Sequence, residues 1–353
     1  MKEYVGMVAT QVAQVLLMIV SKSAIADGMS SYSFIFYSNA IASLILLPLS
    51  CLAFHRSPNR PPISFSIVCG FLIVGLFGFF AQISGYTGVS YSSATLGTTL
   101  LNLIPGFTFI LAALFRMEAI DIRRLTTQAK FIGTVVSIAG AIIMTLYQGP
   151  SIIPSSLKAT ISNHLVLGQS SNWVLGGVLL TIDAIFASLY IISQAVVLKK
   201  YPLVINLMFS YCLICTFLSG LASFVVESDL SSFNLQPNMR LFSVLYSGIF
   251  GYAFLVTVQS WCVRRRGPLF VAMFHPVGIV IANLIGVIFL GDGFYLGSLL
   301  GSIIVVIGFY TVMWGKAQEQ KIAADHSSVS SKLDGETAPL LQDVEEQSVS
   351  STP

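Results

Sequence analysis

Asp183 stands about twelve residues into an apolar run that begins near residue 172. A carboxylate at that depth in a hydrocarbon setting is costly, and by default it marks function. Tyr190 and Gln194 follow at i+7 and i+11, so the three share one helical face and predict a polar stripe lining a cavity. Low dielectric disfavours the charged form of such a carboxyl, so Asp183 suits a coupling proton or a substrate amino group. The alternative is a neutral Asp hydrogen-bonded to a neighbouring helix. Lys22 closes the first apolar run, where it either snorkels to the interface or meets a substrate carboxylate. Pro105 and Pro276 each remove a backbone donor within a run and free a carbonyl. Such groups persist at membrane depth only when buried in protein or facing a wet cavity. Thr95, Thr98 and Asn102 lead into Pro105, while His275 directly precedes Pro276 as a proton relay or a satisfied helix partner. Gln82 and Gln259 are further polar candidates within apolar runs. Cys212 and Cys215 form C-x-x-C inside an apolar helix with no partner pair, so they read as packing residues; a zinc site needs four convergent ligands. No metal or cofactor is expected.

The elements that must hold these residues follow from composition. Of 353 residues, 55% are hydrophobic and 9% charged, with a mean hydropathy of +0.83. A soluble surface needs about 25% charged residues, so secreted domains, nucleic-acid binders and cytosolic enzymes are excluded. Apolar runs between charge clusters predict ten spans, at about 5–25, 32–54, 65–84, 93–114, 130–148, 172–193, 204–226, 241–262, 268–290 and 294–314. A barrel would show alternating strands of about ten residues instead. Met1-Lys2-Glu3 runs straight into the first span without a small-residue cleavage site, which reads as an anchor and not a removed signal peptide.

Placing the N-terminus in the cytosol puts 15 of the 18 Lys and Arg residues on the cytosolic side, leaving Lys22, Lys158 and Arg240. That bias follows the positive-inside rule and predicts cytosolic termini on both ends. The Arg264-Arg265-Arg266 and Lys199-Lys200 clusters are then topology signals, not nucleic-acid contacts.

The chain also repeats itself. Ser21-Lys22-Ser23-Ala24 matches Ser193-Gln194-Ala195-Val196 at an offset of 172, where Gln11 falls on Asp183. The segment 102–106 around Pro105 matches 273–277 around Pro276, Phe115 to Glu118 resembles Phe289 to Asp292, and Gly133 to Gly140 matches Gly301 to Gly308. Five spans per repeat, an odd number, insert the second copy the other way up, as in secondary carriers that rock around a midplane site. The expected organisation is a first repeat at 1–148, a non-cytosolic linker at 149–171, a second repeat at 172–315 and a disordered cytosolic tail at 316–353.

Two five-span repeats, each with a proline in its fourth span and an acid soon after (Pro105 then Glu118, Pro276 then Asp292), resemble the EamA domains of the drug/metabolite transporter superfamily. The stretch from Ser21-Lys22 to Gly28-Met29-Ser30, the run Trp261 to Pro268 and the run Phe309 to Lys316 are similar to the plant walls-are-thin-related branch, also called UMAMIT carriers. The resemblance covers about residues 4–316. It implies a ten-helix all-α integral membrane carrier with amino acids as usual substrates and auxin in at least one branch member. It also raises the functional reading of Lys22. In one departure, Asn39 stands in the second span where many members carry a basic residue, which weakens transfer of the substrate by analogy.

The tail carries ten charged residues in 38 and no aromatic, and within it Glu336, Leu340 and Leu341 fit an acidic dileucine signal for sorting adaptors. The first function hypothesis is a secondary carrier for amino acids or related small organic solutes by alternating access, proton-linked through Asp183. The second is a carrier for auxin or another weak acid. A channel-like facilitator is a different class, which saturation of flux would separate. Phosphorylated substrates fit poorly, since the span interiors hold no basic cluster beyond Lys22. An intramembrane enzyme lacks its G-x-S-x-G or paired-acid constellation. The partners expected are the solute, the bilayer of the plasma or vacuolar membrane and an adaptor, and the sequence neither requires nor excludes a homodimer.

Overall fold

A computed structural model describes residues 2–26, 29–56, 62, 64–91, 100–117, 123–147, 150–153, 173–226, 239–285 and 294–336. Backbone facing lipid must satisfy its own hydrogen bonds, and the long apolar runs do so as helices. In chain order these are α1 (Lys2–Ala26), α2 (Ser31–Arg56), α3 (Phe65–Tyr91), α4 (Ile104–Leu114), α5 (Leu125–Leu146), α6 (Trp173–Lys200) and α7 (Val204–Val226). Then come α8 (Met239–Arg266), with a π-wound middle at Ser247–Leu255, α9 (Pro268–Ala272), α10 (Phe274–Ile285) and α11 (Leu296–Glu336). Eight of these, α1 to α3, α5 to α8 and α11, are long and apolar enough to cross a membrane, while α4, α9 and α10 are shorter. The only strands among the described residues are β1 (Ser151–Ile153) and β2 (Phe294–Tyr295), a short antiparallel ladder with Ser151 opposite Tyr295.

Three element boundaries depart from the sequence expectation. The described part of run 93–114 turns at Asn102 and Leu103 before α4 begins, and run 268–290 breaks at Met273 between α9 and α10. Pro105 and Pro276 therefore lie in the first turn of a new helix, where a missing N–H leaves no bond unmade, and not in mid-helix. At the other end of the chain, α11 runs on through Glu336, whereas disorder was expected from residue 316. Lys, Ala, Gln and Glu, all strong helix formers, dominate 316–325, and Glu319 is tied to Lys130 of α5 at 2.8 Å.

The helices pack in pairs. α5 lies along α11, α3 along α6 and α2 along α7, while α1 packs on α8 and α10, and α4 on α6 and α9. Phe65, Val225 and Phe224 are 85%, 81% and 79% exposed on the outer surface, whereas Ser33, Ser38, Thr108, Ser137, Ser188, Ser219 and Ser260 are fully buried. Small polar residues inside and large apolar ones outside are what lipid surroundings select, because close helix approach replaces a hydrophobic drive to associate. Many of the hydroxyls bond a carbonyl one turn back on their own helix, as Thr134 does to Lys130 at 2.7 Å and Ser219 to Cys215 at 2.6 Å. At the α8–α9 corner, Gly267 adopts φ 88°, a left-handed turn that favours glycine, and Pro268 starts the next helix.

Candidate functional site

The face of α6 bearing Asp183, Tyr190 and Gln194 lies against α3 and α8, and three glycines of α3 make room for it. Asp183 is buried, with its carboxylate seated on Gly85, where an added Cβ would come 2.7 Å from Oδ2. Tyr190 and Tyr211 of α7 bring their ring centroids within 5.0 Å, and both rings pack over Gly78. Gly88 makes the same close approach to Leu180. Gln194 accepts from the Ser260 hydroxyl of α8 at 3.0 Å.

A relay of amides crosses from α2 to α7. Asn39 Nδ2 donates to the Ile35 carbonyl at 2.9 Å and to Gln82 Oε1 at 3.2 Å, and Gln82 Nε2 donates to the Tyr211 hydroxyl at 2.5 Å. Asn39 Oδ1 stays buried with no partner. Tyr86, one residue beyond Gly85, meets the Phe34 ring edge-on at 6.0 Å, and Tyr252 is buried in the π-wound segment of α8. Wide turns of this kind recur at functional sites because they re-aim side chains.

Unsatisfied buried groups concentrate around this region. Asn102, in the turn before α4, is 1% exposed and neither of its side-chain polar atoms has a partner among the described residues. Ser188 donates to the Ile104 carbonyl at 3.2 Å just beyond it. Gln11 of α1 is equally buried, its Oε1 pressed against Gly278 of α10 and its Nε2 unpartnered. Asp183 itself has no hydrogen bond among the described residues. Native interiors leave few such groups, so each calls for a reason, and a ligand that supplies the missing partner is one.

Of the residues singled out from sequence, Asp183, Tyr190, Gln194, Asn39 and Gln82 converge here, with Asn102 at the neighbouring turn. Gln259 and His275 are half-buried and form no hydrogen bond among the described residues. Thr98, Leu340 and Leu341 lie outside the described residues, as do the side chains of Lys22 and Glu336. Sequence reading passed over Tyr86, Tyr211, Tyr252 and Ser260, which periodicity cannot separate from packing residues. It also left Gln11 out of the site, although the repeat offset aligns it with Asp183.

Two buried apolar groups stand at opposite ends of α1. On the side of the N-terminus, Leu269 to Phe274 are all at most 2% exposed, and the Tyr4 ring meets Phe270 edge-on at 5.2 Å. Glu3 pairs with Arg266 at 3.7 Å there, and Arg264 donates to the Pro202 carbonyl at 2.5 Å. On the other side Ala24, Met29, Phe34 and Val244 form a buried cluster in contact with Tyr86.

Residues 1–146 match the EamA-like transporter family. Two WAT1-related proteins of Arabidopsis thaliana are similar over nearly the whole chain. One, At3g28050, is 40% identical over 96% of this chain and 94% of its own length. The other, At5g40240, is 39% identical over 94% and 91%. A crystal structure of a protein whose description names no function superposes with a TM-score of 0.63 at 14% identity, covering 88% of this chain and 97% of that one, a likeness of fold alone.

Proposed function

The chain belongs to the EamA-like transporter family, within its WAT1-related group, and from that premise we propose that it carries amino acids or related small organic solutes by alternating access. It is a multi-pass integral membrane transporter and not an enzyme. The observation that carries the finer reading is Asp183, a buried carboxylate seated on Gly85 with no hydrogen bond among the described residues, near other buried polar groups that are unpaired among them. Polar side chains are retained at such depth where they serve a solute or a proton.

Alternating access requires two closures around one site, and in this reading the apolar groups at the two ends of α1 supply them. The helix pairing fits two inverted repeats of five. α3 packs on α6 as α8 does on α1, α4 on α6 as α10 does on α1, and α2–α7 and α5–α11 pair equivalent helices. In this reading α4, with the turn before it, and α9–α10 are the fourth span of each repeat, both termini are cytosolic, and Glu3–Arg266 closes the cytosolic side. The carrier then works in the plasma or vacuolar membrane, with the dileucine signal of the tail read by sorting adaptors.

Uptake and efflux of a labelled amino-acid panel, with auxin included, in oocytes expressing the chain test this. Saturable flux of one or more amino acids is the expected result. Saturable flux of auxin alone would replace the substrate with the weak-acid alternative, and flux that rises without saturating would make the protein a channel-like facilitator.

A further inference from the structure

We propose that the niche formed by Asp183, Gly85 and Tyr86 is an ammonium subsite, so that the carried solute presents a free ammonium group there; this deepens the carrier reading and rests on it. The placement of the carboxylate is the first argument. Its Oδ2 and Cγ would lie 2.7 and 3.1 Å from a Cβ at position 85, so any side chain there displaces it. Glycine inside a helix costs about 0.5–1 kcal/mol relative to alanine, and here its missing side chain is the seat of the charge. Gly85 is thus a positioning residue.

The second argument is what the carboxylate lacks. An aspartate that glues helices together accepts a bond from a donor on the neighbouring helix, and among the described residues none does so. No described basic side chain is paired with it; Lys130 and Arg266 are held by Glu319 and Glu3. Asp183 nonetheless keeps 8% of its surface open. An ammonium group brings three donors and a positive charge to oxygens that have neither.

The surroundings supply the third argument. Tyr86 follows Gly85 on α3 and packs against the buried cluster of Ala24, Met29, Phe34 and Val244, while farther along α3 the Tyr190 and Tyr211 rings cover Gly78. Gly78 and Gly85 lie seven residues apart on α3, about 10 Å at 1.5 Å per residue, so the rings and the carboxylate line one stretch of the α3–α6 interface. Aromatic faces attract an ammonium once it is desolvated. An anion without an ammonium, such as an auxin-like weak acid, meets only like charge at this niche.

Thermal melting of the full-length protein in detergent, titrated with ethylammonium chloride against sodium chloride at equal ionic strength, tests the subsite without relying on transport. Wild type should show a saturable rise in Tm, as any ligand of the folded state produces. Asp183→Asn should weaken the apparent affinity at least tenfold. Gly85→Ala should do the same with the carboxylate still present, and if that variant fails to fold, Asp183→Asn decides alone. Absence of a saturable rise in wild type, as expected if Asp183 holds only a proton, overturns the proposal. So does a rise that Asp183→Asn retains. A rise lost in Asp183→Asn, in a protein that moves no amino acid in oocytes, upholds the subsite and removes the amino-acid reading instead.

Discussion

Along α5 and α11, Gly133, Ser137 and Gly140 meet Ile304, Val305 and Gly308 so closely that Ser137 donates across the interface to the Val305 carbonyl at 3.2 Å. Lys130, fully buried at the end of the same interface, is held by Glu319 at 2.8 Å. Along α3 and α6, glycines at comparable intervals meet something different: Gly78 takes two tyrosine rings and Gly85 takes a carboxylate. Glycine lets backbones touch in the first pair and lets polar side chains enter in the second. Ser137 and Lys130 are paired across α5 and α11, whereas around Asp183 buried amide atoms of Gln11, Asn39 and Asn102 have no partner among the described residues. Pairing is the signature of a structural contact, and orphaned polar atoms mark where a ligand completes the set.

The sharpest way to break this comparison is Gly308→Val. Its Cβ would fall 2.5 Å from the Ser137 backbone nitrogen and 2.7 Å from the Gly133 carbonyl, neither of which can rotate away. Overpacking of this kind costs about 1–3 kcal/mol, at the upper end here because both obstacles are backbone. Thermal melting should show the largest loss of the set, while the substrate preference of surviving protein stays that of wild type. A changed preference would mean that the α5–α11 pair also shapes the site.

Glu319→Gln comes next. It weakens the ion pair of a lysine with no exposed surface, a loss of about 1–3 kcal/mol after allowing for the 29% exposure of Glu319. The double variant Lys130→Met with Glu319→Gln should recover most of it, because the buried charge is gone. If the double variant melts as low as the single one, the pair is not what holds that end of the interface.

Asn102→Leu sharpens the other side of the comparison and should move stability least. It replaces a buried side chain with no partner by an apolar one of similar size, so melting should be unchanged or raised by up to about 1 kcal/mol. Solute flux should nevertheless fall, the usual relation between an unsatisfied site and activity. A stability loss like that of Gly308→Val would make Asn102 structural and remove it from the site.

How much was legible beforehand depended on whether a feature is periodic. The stripe of Asp183, Tyr190 and Gln194 was readable because one helix carries all three. Long apolar runs likewise announced α1 to α3 and α5 to α8. The prolines do not themselves mark the turn: the chain turns at Asn102–Leu103 and at Met273, two or three residues earlier, so that each proline lies in the first turn of a helix. The end of α11 was missed because charge and serine suggested a solvated coil, while local helix propensity and the Lys130 contact extend the helix through Glu336.

The amino-acid sequence by itself determined that this chain lives in lipid, since 9% charge cannot wet a surface of this size, and it determined which side chains would be expensive there. Only the tertiary structure decided what each of those side chains meets. Asn39 and Gln82 are 43 residues apart, and Gln82 and Tyr211 are 129 apart, yet the three form one relay. Asp183 and Gly85 stand on different helices, α6 and α3, and no period in either helix predicts that one is seated on the other. Periodicity reports which face of a helix is polar. Which partner that face meets, and whether the partner can bond it, is set by how the helices pack.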